Sequence, residues 1–223
     1  LIALESNSGG RLAESAPEDD RFCGNFSFTG DKSAGTIVID FGDGCEDQRG
    51  NIRTGKIFIQ YQGGRLMPGS TVTTTLEDFT FNNVAVEGTR TLKNISESLE
   101  EYPVFQITLT GGSLTWPDGT VATREVDRVR VWVNAPNPIN DEHHVTGTAT
   151  GITRRGVNYS MEVTDTLVYK RSCRLSSRGR IPVAGTKVIT TDNRVITIDF
   201  GNGDCDKIVD ILVDGNQEEV TLD

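Results

Sequence analysis

The sequence predicts an all-β protein, in which a large antiparallel meander or sandwich is followed by a smaller β unit. Apolar and polar residues alternate with a period of two through almost the whole chain. Val, Ile and Thr are plentiful, aromatic residues make up only 7% of the sequence, and the 24 glycines suit tight turns. A chain of 223 residues can form one large β domain or two smaller ones, and either can bury a core.

Composition predicts the boundaries of these units. Residues 1–21 are polar and acidic and contain Ser and Gly, which is typical of a flexible tether. The antiparallel domain is expected over residues 22–171 and the small C-terminal β unit over residues 172–223. Between them, the segment 172–180 is rich in Ser, Arg and Gly and is predicted to be a linker.

Strands are predicted from runs of Val, Ile and Thr that end at Gly, Asn, Asp or Pro. In the large domain they cover residues 36–41, 56–61, 71–76, 84–86, 104–110, 120–133, 145–151 and 157–170. In the small unit they cover residues 187–190, 195–200, 208–213 and 220–222. The one place where a helical turn is expected is 91–101, because Leu92, Ile95 and Leu99 have helical spacing.

One motif occurs twice and predicts a structural device that is used at both ends of the chain. Residues 36–45 and 195–205 each contain a β-branched run, then Asp-Phe-Gly, a glycine-rich acidic turn and a cysteine. An even number of cysteines, one pair around each motif, indicates disulfides and an oxidising compartment. The pairing Cys23–Cys45 with Cys173–Cys205 is favoured because it treats both copies alike. Pairing across the copies, or four free buried thiols, remains an alternative.

The two glycine-rich turns also collect oxygen side chains of the kind that calcium prefers. The candidate calcium ligands are Asp40, Asp43, Asp199 and Asp204. However, the spacing is not that of an EF-hand, and Asp and Gly are the usual residues of tight β-turns. A structural turn is therefore the favoured interpretation, and a calcium site is the alternative.

The strand predicted over 120–133 carries a candidate ligand-binding face. Arg124, Arg128, Arg130 and Trp132 alternate with Val129, Val131 and Val133. Arginine forks and an indole ring could hold a carboxylated or sulfated glycan by paired hydrogen bonds and stacking. The favoured alternative is a solvated sheet face whose arginines pair with Asp and Glu of neighbouring strands.

Charge and motifs exclude several classes of function. A formal net charge of −10 argues against a nucleic-acid partner, because such domains usually carry a basic background. No catalytic motif is found, so no catalytic residue and no cofactor are predicted. No run of about 18 apolar residues occurs, which predicts that no helix spans a membrane. The chain begins at Leu1 without a methionine or a signal peptide, so we expect a mature or trimmed form.

Several stretches after residue 22 resemble a family of uncharacterised secreted lipoproteins from Bacteroidetes-type bacteria. They are the two Asp-Phe-Gly motifs and the segments 53–57, 86–91, 147–156 and 167–173. The resemblance implies an exported, lipid-anchored envelope protein whose anchoring cysteine lies upstream of Leu1. The family has no assigned activity, so the resemblance implies no catalytic residue.

These observations favour a non-catalytic extracytoplasmic binding or structural module of the bacterial surface, secreted or anchored in the outer membrane. Its expected partner is a surface glycan or another envelope component. One alternative is a hydrolase that cleaves polysaccharide with a pair of carboxylates in a deep acidic cleft. Another is a carrier that holds an apolar ligand on a curved sheet.

Overall fold

The computed structural model describes Cys23, residues 26–175 and residues 181–222, so the predicted tether and most of the predicted linker lie outside the described residues. Almost all regular structure is β. The strands are β1 Ser27–Asp31, β2 Thr36–Asp40, β3 Cys45–Glu46, β4 Ile52–Gln62, β5 Thr71–Phe81, β6 Val84–Asn94, β7 Val104–Thr115, β8 Val121–Val133, β9 Glu142–Ile152, β10 Asn158–Lys170, β11 Ala184–Thr191, β12 Val195–Asn202, β13 Ile208–Val213 and β14 Asn216–Thr221. A 3₁₀ turn, Pro138–Asn140, and a short helix, α1 Arg171–Leu175, complete the elements.

All fourteen strands belong to one sheet, which confirms the all-β prediction and identifies the fold as a meander. Strands that follow one another in sequence are antiparallel neighbours from β1 to β14, except that β2 passes directly to β4 and the two-residue β3 pairs only with β4. Strands β11 to β14 continue this sheet, because β11 pairs with β10. The short helix α1 lies in the connection between β10 and β11.

The helical turn predicted over 91–101 is wrong. Thr91, Leu92 and Lys93 continue strand β6, and Leu92 stands directly between Val72 of β5 and Ile107 of β7. The following loop is held by Ser96, whose amide donates to Asn94 Oδ1 at 2.9 Å and whose hydroxyl accepts from the Val104 amide at 2.9 Å. Pairing with two neighbouring strands therefore outweighs the helical spacing of three apolar residues.

The strand register gives the sheet two different faces, because residues that pair across strands lie on the same side. The apolar face carries Ile39, Ile59, Val72, Leu92, Ile107, Leu109, Val126, Val145, Ala149, Met161, Ile189 and Ile198. The opposite face is rich in threonine, as in the row Thr73, Thr91, Thr108 and Thr148. The period of two in the sequence thus places apolar side chains on one face of the sheet and threonine-rich polar side chains on the other.

Two core clusters lie on the apolar face, one toward each end of the sheet. The first contains Cys23, Ile39, Phe41, Cys45 and Ile59. The second contains Val145, Ala149, Met161, Val163, Leu167, Phe200 and Val209. Each cluster buries the phenylalanine of one Asp-Phe-Gly motif, since Phe41 is 2% exposed and Phe200 is 5% exposed. The motif therefore delivers an aromatic ring from the end of a strand into the local core.

Glycines mark places where the long strands are interrupted by bulges. The register shifts between β6 and β7 near Gly88, between β7 and β8 near Gly112, and between β10 and β11 near Gly185. A Cβ atom at Gly88 would lie 2.8 Å from the Gly112 Cα, and Gly88 has a φ of +125°. Only glycine fits such a close approach of two backbones.

Disulfides fix both copies of the motif in the pairing that its repetition favours. Cys23 is bonded to Cys45 with a Cα–Cα distance of 5.6 Å, and Cys173 is bonded to Cys205 with a Cα–Cα distance of 5.2 Å. Each bond fastens the segment before a hairpin to the turn after it. Two disulfides indicate that the protein resides in an oxidising, extracytoplasmic compartment.

The two disulfides should be reduced in a fixed order under native conditions. Cys23 and Cys45 are both buried at 4% exposure, whereas Cys205 is exposed. A thiolate must reach a sulfur to open a disulfide, so dithiothreitol should reduce Cys173–Cys205 first. Alkylation at timed intervals followed by peptide mass spectrometry measures the order. Simultaneous labelling of all four cysteines would show that reduction requires global unfolding instead.

Candidate anion-binding site

The predicted ligand-binding residues of β8 lie on the apolar face of the sheet, directly beside its core. Register pairs Arg130 with Val145 and Phe105, and Arg128 with Gly147 and Ile107. The sequence favoured a solvated face whose arginines pair with Asp and Glu of neighbouring strands. The register neighbours of Arg128 and Arg130 are apolar or glycine instead. Arg128 and Arg130 are half-buried, whereas Arg124 is exposed.

Two of the four predicted residues are engaged in structural contacts. The Arg130 guanidinium lies 5.4 Å from the centroid of the Phe105 ring, which is 1% exposed. The Trp132 indole donates from Nε1 to Asp141 Oδ2 at 3.1 Å, and its ring lies 6.0 Å from that of His143. These contacts hold the end of β8 in place, and they engage the indole N–H of Trp132 within the protein.

The other two arginines share the apolar face with a lysine that the sequence reading missed. Lys187 on β11 pairs in register with Val163 and Ile198, and its Nζ lies 5.1 Å from the centroid of the Phe200 ring. We refer to Arg124, Arg128 and Lys187 as the basic cluster. Lys187 could have been noticed because it has the same alternation as Ile189, so it replaces an apolar side chain at a core-facing position.

The members of the basic cluster are partly removed from water and repel one another. Burial lowers the pKa of the Arg128 guanidinium, and the positive charge of Arg124 lowers it further. Burial likewise lowers the pKa of Lys187, with added repulsion from Arg128 and Arg124. Tyr169 lies near Arg128, and burial raises the pKa of its hydroxyl. Two half-buried cations beside an exposed third one are unfavourable unless an anion compensates them.

No compensating carboxylate is found within the part of the chain that the structure describes. No hydrogen bond or salt bridge there joins the side chains of the basic cluster to an acidic group. Arg128 Nε is buried and has no hydrogen-bond partner among the described residues. A buried donor without a partner is rare and costs free energy.

Charge is segregated between the two faces over the strands β6 to β13. Register places Arg90 and Arg130 on the apolar face together with the basic cluster. Every acidic residue of these strands lies on the opposite face: Glu87, Glu125, Asp127, Glu142, Glu162, Asp165, Asp199 and Asp210. The apolar face is therefore positive between β6 and β13 despite the net charge of −10, whereas the edge strand β14 places Glu218 on this face.

Glycines on β9 lie opposite both arginines of the basic cluster. Gly147 pairs with Arg128, and Gly151 pairs with Arg124. A Cβ atom at either position would collide with the backbone of β8. The two glycines therefore let the backbones of β8 and β9 approach closely beside the arginines, and the Tyr159 hydroxyl lies over Gly151.

In both glycine-rich turns, the first aspartate accepts a hydrogen bond from the backbone amide two residues later. Asp40 Oδ1 accepts from the Gly42 amide at 2.8 Å, and Asp199 Oδ1 accepts from the Gly201 amide at 2.9 Å. No group of three or more His, Cys, Asp or Glu side chains within the described ranges could hold a metal ion. The calcium role of Asp40, Asp43, Asp199 and Asp204 stays a sequence prediction.

An open hollow of about 440 Å³ lies beside the second of these turns. Its acidic lining residues are Asp199, Asp204, Asp206 and Asp210. The hydrolase alternative requires a deep cleft with a pair of carboxylates, whereas this hollow is open to solvent.

Comparisons with known proteins give no further guidance. No family model, no curated protein and no solved structure matches this chain. Among the described residues, no helix is long and apolar enough to cross a membrane.

Proposed function

We propose that this protein is a non-catalytic, extracytoplasmic binding module that holds an anionic ligand on the basic cluster. The observation that supports it most directly is that Arg124, Arg128 and Lys187 converge on one face with no carboxylate beside them in the described part of the chain. The ligand carries a carboxylate, sulfate or phosphate group, because a guanidinium fork binds these groups through paired hydrogen bonds. Secretion or anchoring at the outer membrane belongs to the same proposal and is supported by the two disulfides.

The half-buried position of Arg128 suits binding better than a solvated position would. An ion pair formed there is screened less by water and salt than a surface pair. The cost of keeping these cations together is therefore offset when the anion is bound.

Replacing Arg128 or Lys187 by glutamine should weaken binding of the anion by about tenfold or more, because a hydrogen bond to a charged group contributes roughly 1.5–3 kcal/mol. Isothermal titration calorimetry measures this with three probes: sodium sulfate, a chondroitin sulfate hexasaccharide and sodium decanoate. At least one probe should bind the wild type and lose affinity in both variants.

Lys93→Gln is the matched control, since Lys93 is an exposed cation of β6 on the threonine-rich face. Its affinity for each probe should equal that of the wild type. The proposal is overturned if no probe binds, or if Lys93→Gln weakens binding as much as Arg128→Gln does.

A further inference from the structure

The apolar face next to the basic cluster has a band of aliphatic side chains that neither core contains. Leu92 of β6 and Ile107 and Leu109 of β7 are half-buried and belong to neither core cluster. Val126 of β8 stands opposite Leu109 and borders the C-terminal core. We refer to Leu92, Ile107, Leu109 and Val126 as the aliphatic band. It lies between the two cores, on β6, β7 and β8.

The aliphatic band is continuous with the basic cluster. Ile107 is the register partner of Arg128, and Val126 lies between Arg124 and Arg128 on the same side of β8. From β8 across β7 to β6 the band extends over two strand spacings, about 10 Å. A ligand with its charged group at Arg128 would therefore lie directly over aliphatic side chains.

A free sugar fits these surroundings less well than a hydrocarbon chain does. Sugar hydroxyl groups that lose water need hydrogen-bond partners, which the four side chains of the aliphatic band do not offer. The polar side chain beside them on β6 is that of Arg90, the register partner of Leu109. The aromatic ring that sequence reasoning assigned to sugar stacking, Trp132, is held by Asp141 and lies against His143. Methylene groups, in contrast, gain free energy when they leave water for an aliphatic surface.

We propose that the ligand is an anionic amphiphile, whose head group binds Arg124, Arg128 and Lys187 and whose hydrocarbon chain lies along the aliphatic band. This inference rests on the proposed function and names its ligand class. Charge complementarity selects this occupant, since strands β6 to β13 place cations but no Asp or Glu on this face. The head group can be a carboxylate or a phosphate, and both share the chemistry that the basic cluster recognises.

A chain-length series tests the inference on the full chain. Titrations with hexanoate, octanoate and decanoate below their micelle concentrations should give affinities that rise with each methylene, by about fourfold at full burial and by about twofold if the chain on the face loses half of its contact with water. Octan-1-ol, which lacks the charge, should bind at least about tenfold more weakly than octanoate. Octyl phosphate in a parallel titration distinguishes a phosphate head group from a carboxylate.

Two valines of one strand provide a matched pair of variants. Val126→Thr introduces a hydroxyl group into the aliphatic band, whereas Val129→Thr makes the same change on the threonine-rich face of β8. Decanoate affinity should fall several-fold in Val126→Thr only. Thermal unfolding of both variants establishes that each is folded, and Ile107→Thr serves in place of Val126→Thr should the latter unfold.

The outcomes separate this inference from the proposed function. Affinities that do not depend on chain length, or a chondroitin sulfate hexasaccharide that binds more tightly than decanoate, would overturn the amphiphile but leave an anion site that depends on Arg128. If decanoate binds only after residues 1–22 are deleted, the occupant of the apolar face is that acidic segment. A dimer that decanoate does not dissociate would assign that face to a second copy. Either result overturns the inference. If no probe binds the wild type more tightly than it binds Arg128→Gln, the proposed function is overturned as well.

Discussion

Phe200→Ala is expected to lower the free energy of unfolding by about 3–5 kcal/mol, and Phe41→Ala should have an effect of the same size. Each ring comes from an Asp-Phe-Gly motif and is almost fully buried in its own core cluster. Phe41 lies 6.1 Å from the Phe26 ring and 5.9 Å from the Phe79 ring, so its removal leaves a cavity between aromatic side chains. Urea unfolding followed by circular dichroism gives the free energies.

Controls and a double variant sharpen this prediction. Leu212→Ala removes a side chain that is 39% exposed, and it should change the free energy of unfolding by less than about 1 kcal/mol. Because the two core clusters lie toward opposite ends of the sheet, the losses of Phe41→Ala and Phe200→Ala should add within about 0.5 kcal/mol. A double variant that loses much less than the sum would show that the two clusters are coupled.

The class of fold could be predicted from the sequence because period-two alternation is a local property. Segments such as 56–61 and 104–110 keep their apolar residues in phase, and the structure places both within strands. The partner of each strand is not local. The choice between a meander and a sandwich depended on pairings such as that of β10 with β11, across a connection whose composition resembles a linker. Glycine bulges were missed for the same reason, since Gly147 matters only because the backbone of β8 approaches it.

The candidate site could be predicted only in part. Alternation along β8 placed Arg124 and Arg128 on one side, and the register agrees. Sequence reasoning could not bring in Lys187, which is 59 residues further along the chain than Arg128 and three strands away. It also could not show that the Trp132 indole donates a hydrogen bond to Asp141, because that contact depends on the path of the loop between β8 and β9. Pairing between distant segments therefore decided which of the predicted residues form a common site.

Asp47→Ala is expected to lower the melting temperature by about 10 °C, the largest effect of any single charge that we describe. The Asp47 side chain is 0% exposed and accepts from Arg53 Nη1 at 2.8 Å. Its Oδ1 also accepts from the amides of Arg49 and Asn51, both at 2.9 Å. The variant would leave the Arg53 guanidinium buried without its carboxylate, over the Phe81 ring at 5.0 Å. Differential scanning calorimetry measures the melting temperature.

Asp118→Ala is the matched control for this buried pair. Asp118 accepts from Arg154 Nη2 at 2.7 Å, but the two side chains are 54% and 47% exposed. A solvated pair contributes little to stability, so the melting temperature should change by no more than about 2 °C. The double variant Asp47→Ala/Arg53→Met removes both buried charges and should regain part of the loss. Equal effects of Asp47→Ala and Asp118→Ala would contradict the role assigned to burial.

The same carboxylate should make stability depend on pH in a predictable direction. The hydrogen bond from Arg53, above all, holds the pKa of Asp47 well below its usual range, and the amides of Asn51 and Arg49 contribute further. Because the pKa is lower in the folded state, the stabilisation is fully present above the unfolded value of about 4 and is lost as the pH falls through the folded value. The difference in melting temperature between the wild type and Asp47→Asn should therefore stay constant from about pH 8 to pH 5 and shrink below about pH 4. A difference that grows on acidification would mean that Asp47 is protonated in the folded protein and that Arg53 is compensated by another group.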